Sequence, residues 1–598
     1  MDEDDRLTTI EKIQNITPSK KDLSRRVKKA ERVTRSHARK FILQRLGKAR
    51  EVQKKILIWI IAMGILIAAS AVQLLWYRTG YYTTAPSSSG IYGEGVIGTI
   101  KTLNPLYANS DPEEALSQLI FSRLLRYDTS GKIGYDLANS MKISADGLNY
   151  TISIRDGVLW QDGQDLTIND VLFTFGLLQN SATRSTLTGW SDIKITKVND
   201  RSINFQLPAV VAPFASAVAS VPILPEHILK DIDPNKIRES SFSSSPIGSG
   251  PFKVNLVSDI DVSTGRRAVL LDRFDNYFAG AVRLEKFQLQ TYPDSPSLYK
   301  GLTSGEVIAA AGLDDEELGK LSQNIYSVDS HPINSGVYSI FNNKHEVLAD
   351  VKVRKALQLS ADTQEIRGMY KFPQLKMDNP LTNSQLGTQA PVADVVNLAS
   401  ANTLLDEAGW KLEGNVRKKG GKEFALSIVT IKGQYEKVTD KLVSYWSQLG
   451  AVVTTSVYDP TDAAQRFVQD ILQARNYDVL VYQLYIGGDP DVYAYWHSTQ
   501  ANASGYNFAN YANSVSDSIL DSARSRIEMN LRQIKYLQFS RQWLADVPAI
   551  GLYQSSLNYA HIKSVEAFSI SNVIPSVENR YADIQYWSVT KKSVYKTP

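Results

Sequence analysis

The sequence predicts an α/β protein carried behind a single membrane-crossing helix, and two observations point there. Residues 425–485 alternate apolar strands with helices, β-α-β-α-β, the pattern of a parallel sheet layered with helices. Ile56–Tyr77 runs for 22 residues without a charge, enough to cross a bilayer as a helix. At 598 residues, 43% hydrophobic and 21% charged, the chain can bury several cores at roughly 150 residues each.

Taken in order, residues 1–55 are a basic segment with 17 lysines and arginines against 8 acidic residues, whereas the remainder holds 49 against 54. A basic head on a mildly acidic body points to a membrane junction and away from nucleic acid as the body's partner. Helix is expected from about Lys20 onward. Lys54, Lys55 and the basic residues before them, against a lone Arg78 after the span, put the N-terminus in the cytoplasm and the body outside. Ala68-Ala69-Ser70-Ala71 raises a cleaved signal peptide as the competing reading, but such a peptide has an apolar core of about 7–15 residues. Residues 56–77 are therefore read as an uncleaved transmembrane helix, and 78–90, rich in Ser, Thr, Gly and Pro, as a linker reaching on the order of 20 Å.

Several chemistries are excluded by what the chain lacks. It has no cysteine, so disulfides, thiolate metal sites, a nucleophilic Cys and a lipid on an N-terminal Cys are ruled out. Its six histidines have no HExxH spacing, and no metal is expected. Gly93, Gly95 and Gly98 fall in the GxGxxG spacing, but a linker precedes them and an extended Thr-Ile-Lys-Thr-Leu-Asn-Pro follows. The segment reads as a first strand and not as a dinucleotide loop. Neither GxSxG nor a P-loop occurs, and LDDEEL at 313–318 reads as the acidic first turn of a helix. No catalytic residue and no cofactor are predicted; the chain reads as a binding protein, not an enzyme.

From Tyr150 the signals become dense. Tyr150, Ile152 and Ile154 alternate as a half-buried strand, Asp156-Gly157 and Asp162-Gly163 make turns, and Thr167 caps a helix carrying Val171, Leu172, Phe175 and Leu178. Trp160 belongs to the turn and is read as structural. Downstream, Ala425–Thr430 is a strand, Val438, Leu442, Trp446 and Leu449 line a helix stopped by Gly450, and Val452–Tyr458 is the next strand. A helix over 462–474 and a strand over 477–485 complete the layer.

The segment RDGVLWQDGQDLTINDVLFTF resembles the signature of the family 5 extracellular solute-binding proteins, receptors of dipeptide, oligopeptide and related ABC importers. LNPLY at 103–107, IKITKVNDRSINFQL at 193–207, GSGPFKV at 248–254, DNYFAG at 275–280, SIFNNKHEVLADVKVRKALQLSAD at 339–362, ANTLLDEAGW at 401–410 and DSILDSAR at 517–524 follow in the family's order. The resemblance implies a two-lobed periplasmic-binding-protein-like fold of class II, with an extra subdomain in lobe I. Lobe I would be 91–335 with a return at 556–598, and lobe II 336–555. A solute would be enclosed between the lobes of a monomeric receptor and delivered to an ABC permease. A sensor or scaffold signalling through the cytoplasmic head is the alternative.

The resemblance also places the candidate site. The stretch Asn476–Ser498 ends a strand in Gly-Gly-Asp-Pro-Asp among Tyr, Trp and His, and ligands bind beyond the carboxyl ends of such strands. Gln483, Tyr485, Ile486, Gly487, Asp489, Tyr493 and Trp496 are the candidate ligand-binding residues there. Trp190 is expected to project from lobe I. In dipeptide and oligopeptide receptors an Asp a few residues before the loop's Asp-Pro holds the ligand's ammonium, yet that position here is Ile486. No Asp or Glu lies between Asp478 and Asp489. Either Asp489 takes over, or the solute has no free amine at that point, which favours a neutral, hydroxyl-rich or blocked solute.

Overall fold

The computed structural model describes residues 28–29, 31–36, 49–87, 89–372, 374–433, 435–459, 462–567 and 573–595. Most of the basic head lies outside them; of the helix expected from Lys20, residues 28–29 and 31–36 are described and are helical. The chain divides into two units, residues 1–85 with 592–598, and residues 86–591. In the first, helix α1 (Ala49–Tyr81) covers the uncharged span. Its segment Lys55–Arg78 has a mean hydropathy of 2.3 and no buried side chain, and is long and apolar enough to cross a membrane.

The second unit is built on a ten-stranded mixed sheet. In chain order the strands are β1 (Ile91–Ile97), β2 (Phe252–Asp261), β3 (Arg266–Arg273), β4 (Lys286–Tyr292), β5 (Ala309–Ala311), β6 (Tyr326–Phe341), β7 (Ala425–Ile431), β8 (Val452–Tyr458), β9 (Val479–Tyr485) and β10 (Ala549–Ile562). They lie side by side as β8-β7-β9-β6-β10-β5-β1-β4-β3-β2. The glycine-rich segment is thus a buried strand, β1, parallel to both neighbours and followed by no dinucleotide-type helix.

Around β1–β5 the core gathers Tyr92, Phe252, Phe287 and Trp587, with helix α2 (Asp111–Ile120) packed on it through Ala115, Leu116, Leu119 and Ile120. A separate four-stranded sheet joins 138–143, 149–154, 202–206 and 194–199 in that order, and has its own core. Its helix α3 (Ile168–Gln179) starts where expected: Thr167 accepts from Asn169 N, and Asp170 reaches back to Thr167 N at 2.7 Å, a capping box.

In the other half, β7, β8 and β9 are parallel, with β7 in the middle. Helix α4 (Glu436–Gln448) crosses from β7 to β8 and buries Val438, Leu442 and Trp446. The helix expected over 462–474 is instead broken. A 3₁₀ turn at Ala463–Gln465 and a π turn at Val468–Gln473 are separated by Arg466 at φ 38°, a conformation that interrupts any α-helix.

Strands β6 and β10 are the longest and pair antiparallel through both halves of the sheet. Ile333 of β6 packs into the first core, while Val337 and Phe341 pack into the second. Between those points the register slips, between Pro332 and Gly336. Asn334 sits in that slip, and its carbonyl is turned to a task outside the ladder.

Candidate ligand-binding site

That task is to hold the tip of β9. The Asn334 carbonyl accepts from Ile486 N at 2.8 Å and Gly487 N at 3.1 Å, so the first two residues beyond the strand are fixed to the crossing strand. Gly487 turns the chain with φ +79°, the left-handed conformation that glycine adopts without strain, and its carbonyl accepts from Gln385 Nε2 at 3.1 Å. Gly488 lies against Tyr127 of the opposite half. A Cβ there would come within 2.2 Å of the Tyr127 ring, so only glycine allows this approach.

The two acids of the loop are both clamped. Asp489 is held bidentately by Arg532, with Arg532 Nη1 to Oδ2 at 2.8 Å and Nη2 on Oδ1, and Asp491 pairs with Arg524 at 3.2 Å. Arg524 ends helix α5 (Ser514–Arg524) and Arg532 lies in α6 (Met529–Asp546), so two helices reach back to set the loop. Burial alone would lower the Arg532 pKa, but Asp489, with help from Tyr536, raises it above its ordinary value.

Behind the loop stands a hydrogen-bonded row. Tyr435 donates to Gln483 Oε1 at 3.0 Å, and Gln483 Nε2 donates to Ser335 Oγ at 3.0 Å. Tyr495 donates to the Tyr485 carbonyl, and Tyr370 to the Tyr553 hydroxyl at 2.9 Å. Tyr485 itself is 47% exposed, yet the protein around its hydroxyl pushes its pKa up, burial first and then the charges of Asp111 and Glu578. Around Tyr127, on the side of the first core, a cavity of about 50 Å³ opens among Gln118, Arg123, Arg126, Asp136 and Glu578.

The predicted residues separate into two groups. Gln483, Tyr485, Ile486 and Gly487 are brought together at the strand tip. Asp489 stands with them, but its carboxylate is committed to Arg532, which corrects the expectation that it could take over an ammonium. Tyr493 is stacked on His497 at 4.1 Å and covered by Arg524 at 4.6 Å, so its ring is already in use. Trp496 is buried, edge-on to Trp543 at 5.4 Å, and Trp190 is buried edge-on to Phe175 at 4.7 Å. Both tryptophans fill cores and do not project into the space between the halves. Sequence reading missed Tyr127, Tyr435, Arg524 and Arg532. None carries a local signal, since each acts on the loop from a distant element.

An α/β body whose halves meet at a pair of crossing strands, with a strand tip and glycine turn held at their junction, has the architecture of a clamp. Residues 132–506 match the model of the bacterial extracellular solute-binding proteins, family 5 middle region, and the chain belongs to that family. It is 26% identical over 497 residues to the oligopeptide-binding protein AppA of Bacillus subtilis, covering 81% of this chain and 89% of the relative. It is 23% identical over 492 residues to the probable D,D-dipeptide-binding periplasmic protein DdpA of Escherichia coli, covering 80% and 91%. The fold superposes on AppA of Bacillus subtilis in complex with a nonapeptide (TM-score 0.70, 24% identity, 85% and 100% covered). It superposes equally on NikZ of Campylobacter jejuni in complex with Ni(L-His) (TM-score 0.71, 24% identity, 84% and 100% covered). The chain is a solute-binding protein, not an enzyme.

Proposed function

We propose that this protein is the membrane-anchored receptor of an ABC importer: it encloses an oligopeptide-like or other small polar organic solute outside the cell and hands it to a permease. The observation that carries this reading is the strand tip: Asn334 and Gln385 fix Ile486 and Gly487, Gly488 lies against Tyr127 of the other half, and Tyr485 stays exposed beside them. Gln483, Tyr485, Ile486 and Gly487 contact the solute, while Asp489, Tyr493, Trp190 and Trp496 keep the walls in place. The lobes are 91–335 with 556–598, and 336–555. Their boundary falls at Ser335 and Ser556, near the register slip of β6, which supports a hinge there. Helix α1 holds the receptor at the membrane as a monomer, with residues 1–55 in the cytoplasm, and tethering raises its effective concentration at the permease.

Native mass spectrometry of the full chain, taken gently from the membrane, tests the reading. A retained solute that disappears in a Tyr485→Ala, Gln483→Ala variant supports it, and loss of uptake on gene deletion supports the importer role. Unchanged uptake, with cross-linking that never captures a permease, overturns it. Removing residues 1–40 separates the sensor alternative, which predicts a lost signal with normal solute binding.

A further inference from the structure

The two halves meet at more than Gly488. Helix α5 ends at Arg524, and the last carbonyls of a helix have no partner inside it. The Arg524 carbonyl finds one outside: it accepts from Ala212 N at 2.9 Å, in the segment that follows strand 202–206 of the four-stranded sheet. Three residues on, Ile527, 37% exposed, lies against a turn of the same sheet. A Cβ at Gly147 would come within 2.7 Å of Ile527 Cδ1 and 3.3 Å of Val210 Cγ2, so the isoleucine occupies a seat that glycine leaves open. Leu207 N donates to the Leu148 carbonyl at 2.8 Å and fastens the two walls of that seat together. A helix end and one apolar side chain thus plug into a notch of the other half.

The same arginine reaches the ligand loop. Its guanidinium covers the Tyr493 ring at 4.6 Å, and its Nε stands 3.2 Å from Asp491 Oδ2, at ion-pair distance but without hydrogen-bond alignment. Asp491 in turn accepts from Tyr493 N at 3.2 Å. Burial pushes the Asp491 carboxyl up, and Arg524 is the first of the charges that oppose it. Arg532, the other arginine that sets the loop, makes its side-chain bonds to Asp489 and Tyr536 within its own half.

We propose that Arg524 is a positioning residue that couples closure of the halves to the shape of the ligand loop. Its carbonyl, with Ile527, latches the α5–α6 turn to the four-stranded sheet, and its guanidinium carries that position to Asp491 and Tyr493. Separation of the halves strips the helix end of its partner and frees the turn, and the loop loosens with it. By reciprocity, a loop drawn tight by a bound solute favours the latched, closed state. This rests on the receptor reading above for what closure serves, and it names the residue through which the site senses closure.

The test needs no solute. The chain has no cysteine, so Thr196→Cys and Ser514→Cys, at exposed positions in the two halves, place two spin labels in the full chain in nanodiscs. Double electron–electron resonance reads the separation of the halves, and hydrogen exchange with mass spectrometry reads the peptide 486–495. Ile527→Asp unseats the side chain, and Ala212→Pro removes the N–H on the other side of the latch. Each should lengthen the label distance and speed exchange of the loop about fivefold or more. Arg524→Gln keeps the carbonyl, so the distance should stay at the wild-type value while loop exchange rises as much. When Ile527→Asp is added to Arg524→Gln, the loop should exchange no faster than in Arg524→Gln alone, a non-additivity that a merely structural arginine would not give. An unchanged distance in a folded Ile527→Asp or Ala212→Pro variant overturns the latch, and additive exchange in the double variant overturns the coupling. Neither Ile527 nor Ala212 belongs to the buried core, and the two reach the latch from opposite halves, so a variant that impairs folding leaves the other to decide. Either failure leaves the receptor reading to the uptake measurement above.

Discussion

Two arginine–carboxylate pairs of this protein, Arg580 with Glu94 and Arg532 with Asp489, are built to different standards. Glu94 is fully buried and Arg580 is 2% exposed. Glu94 Oε1 accepts from Arg580 Nε at 3.1 Å, Arg580 Nη2 at 2.6 Å and Tyr581 at 2.6 Å, while Oε2 accepts from Tyr559 at 2.7 Å, itself bonded to Tyr92. Asp489, 11% exposed, has the guanidinium of Arg532 and no other side-chain partner among the described residues. Arg532 Nε is left unsatisfied. The first pair joins β1 to a segment 486 residues later and must hold the chain's return closed. The second only has to aim a loop. Redundant donors mark the tie on which the fold depends, and a bare clamp marks the one that positions a site.

The comparison is broken most directly by cutting each tie. Glu94→Gln should be the more damaging, because it leaves Arg580 charged, sealed and unpaired, at a cost of about 3–5 kcal/mol. Asp489→Asn should cost about 2 kcal/mol, since the cleft edge lets water reach Arg532, but it should also weaken solute capture, which Glu94→Gln in any folded fraction should not. Urea unfolding of both variants, with binding measured on the folded protein, checks the order. Equal losses in stability would show that the four donors around Glu94 add nothing to the bare clamp.

How far this difference could be read beforehand depends on distance along the chain. The parallel layer, the helix cap at Thr167, the strand at 150–154 and the position of the loop were legible because each is local: a periodicity, a cap, a turn. The broken helix at 463–473 was not, because Arg466 in a left-handed conformation leaves no mark in a pattern of apolar spacing. The site was half legible. Tyr485 and Gly487 stand at a strand end that sequence can locate. Trp190 and Trp496 look alike in sequence whether they face a ligand or a core, and packing against Phe175 and Trp543 decided for the core. The arginines that take Asp489 and Asp491 out of play come from helices more than 30 residues downstream, in contacts that only the folded chain creates.

A smaller effect sharpens the role given to the loop. Gly488→Ala puts a methyl group into the Tyr127 ring, an overpacking that costs about 1 kcal/mol if the halves stay together. Because the clash lies between the halves, opening relieves it. The variant should therefore unfold at nearly the wild-type denaturant concentration while losing about fivefold in solute affinity. Tyr127→Ala, in the same chain as Gly488→Ala, should restore part of that affinity. If Gly488→Ala instead destabilises the fold without touching binding, the loop belongs with the Glu94 tie as a structural closure.

The smallest effect concerns a carboxylate with no arginine clamp at all. Glu114 has its pKa raised from an ordinary 4.5 to about 7, through burial first and then through Glu578, Glu113 and Asp111, against the opposing charge of Arg123. Its protonated form is favoured by the fold, so the stability this brings is fully present below about pH 4.5 and is lost as pH rises towards 7, because the unfolded chain ionises first. Subtracting the thermal midpoint of Glu114→Gln from that of the wild type at each pH isolates the group, and the difference should fall between pH 4.5 and 7 and then level off. Parallel curves for wild type and variant would mean that burying Glu114 among carboxylates costs the fold nothing, and that a carboxylate without an arginine clamp is no weaker a build than one with it.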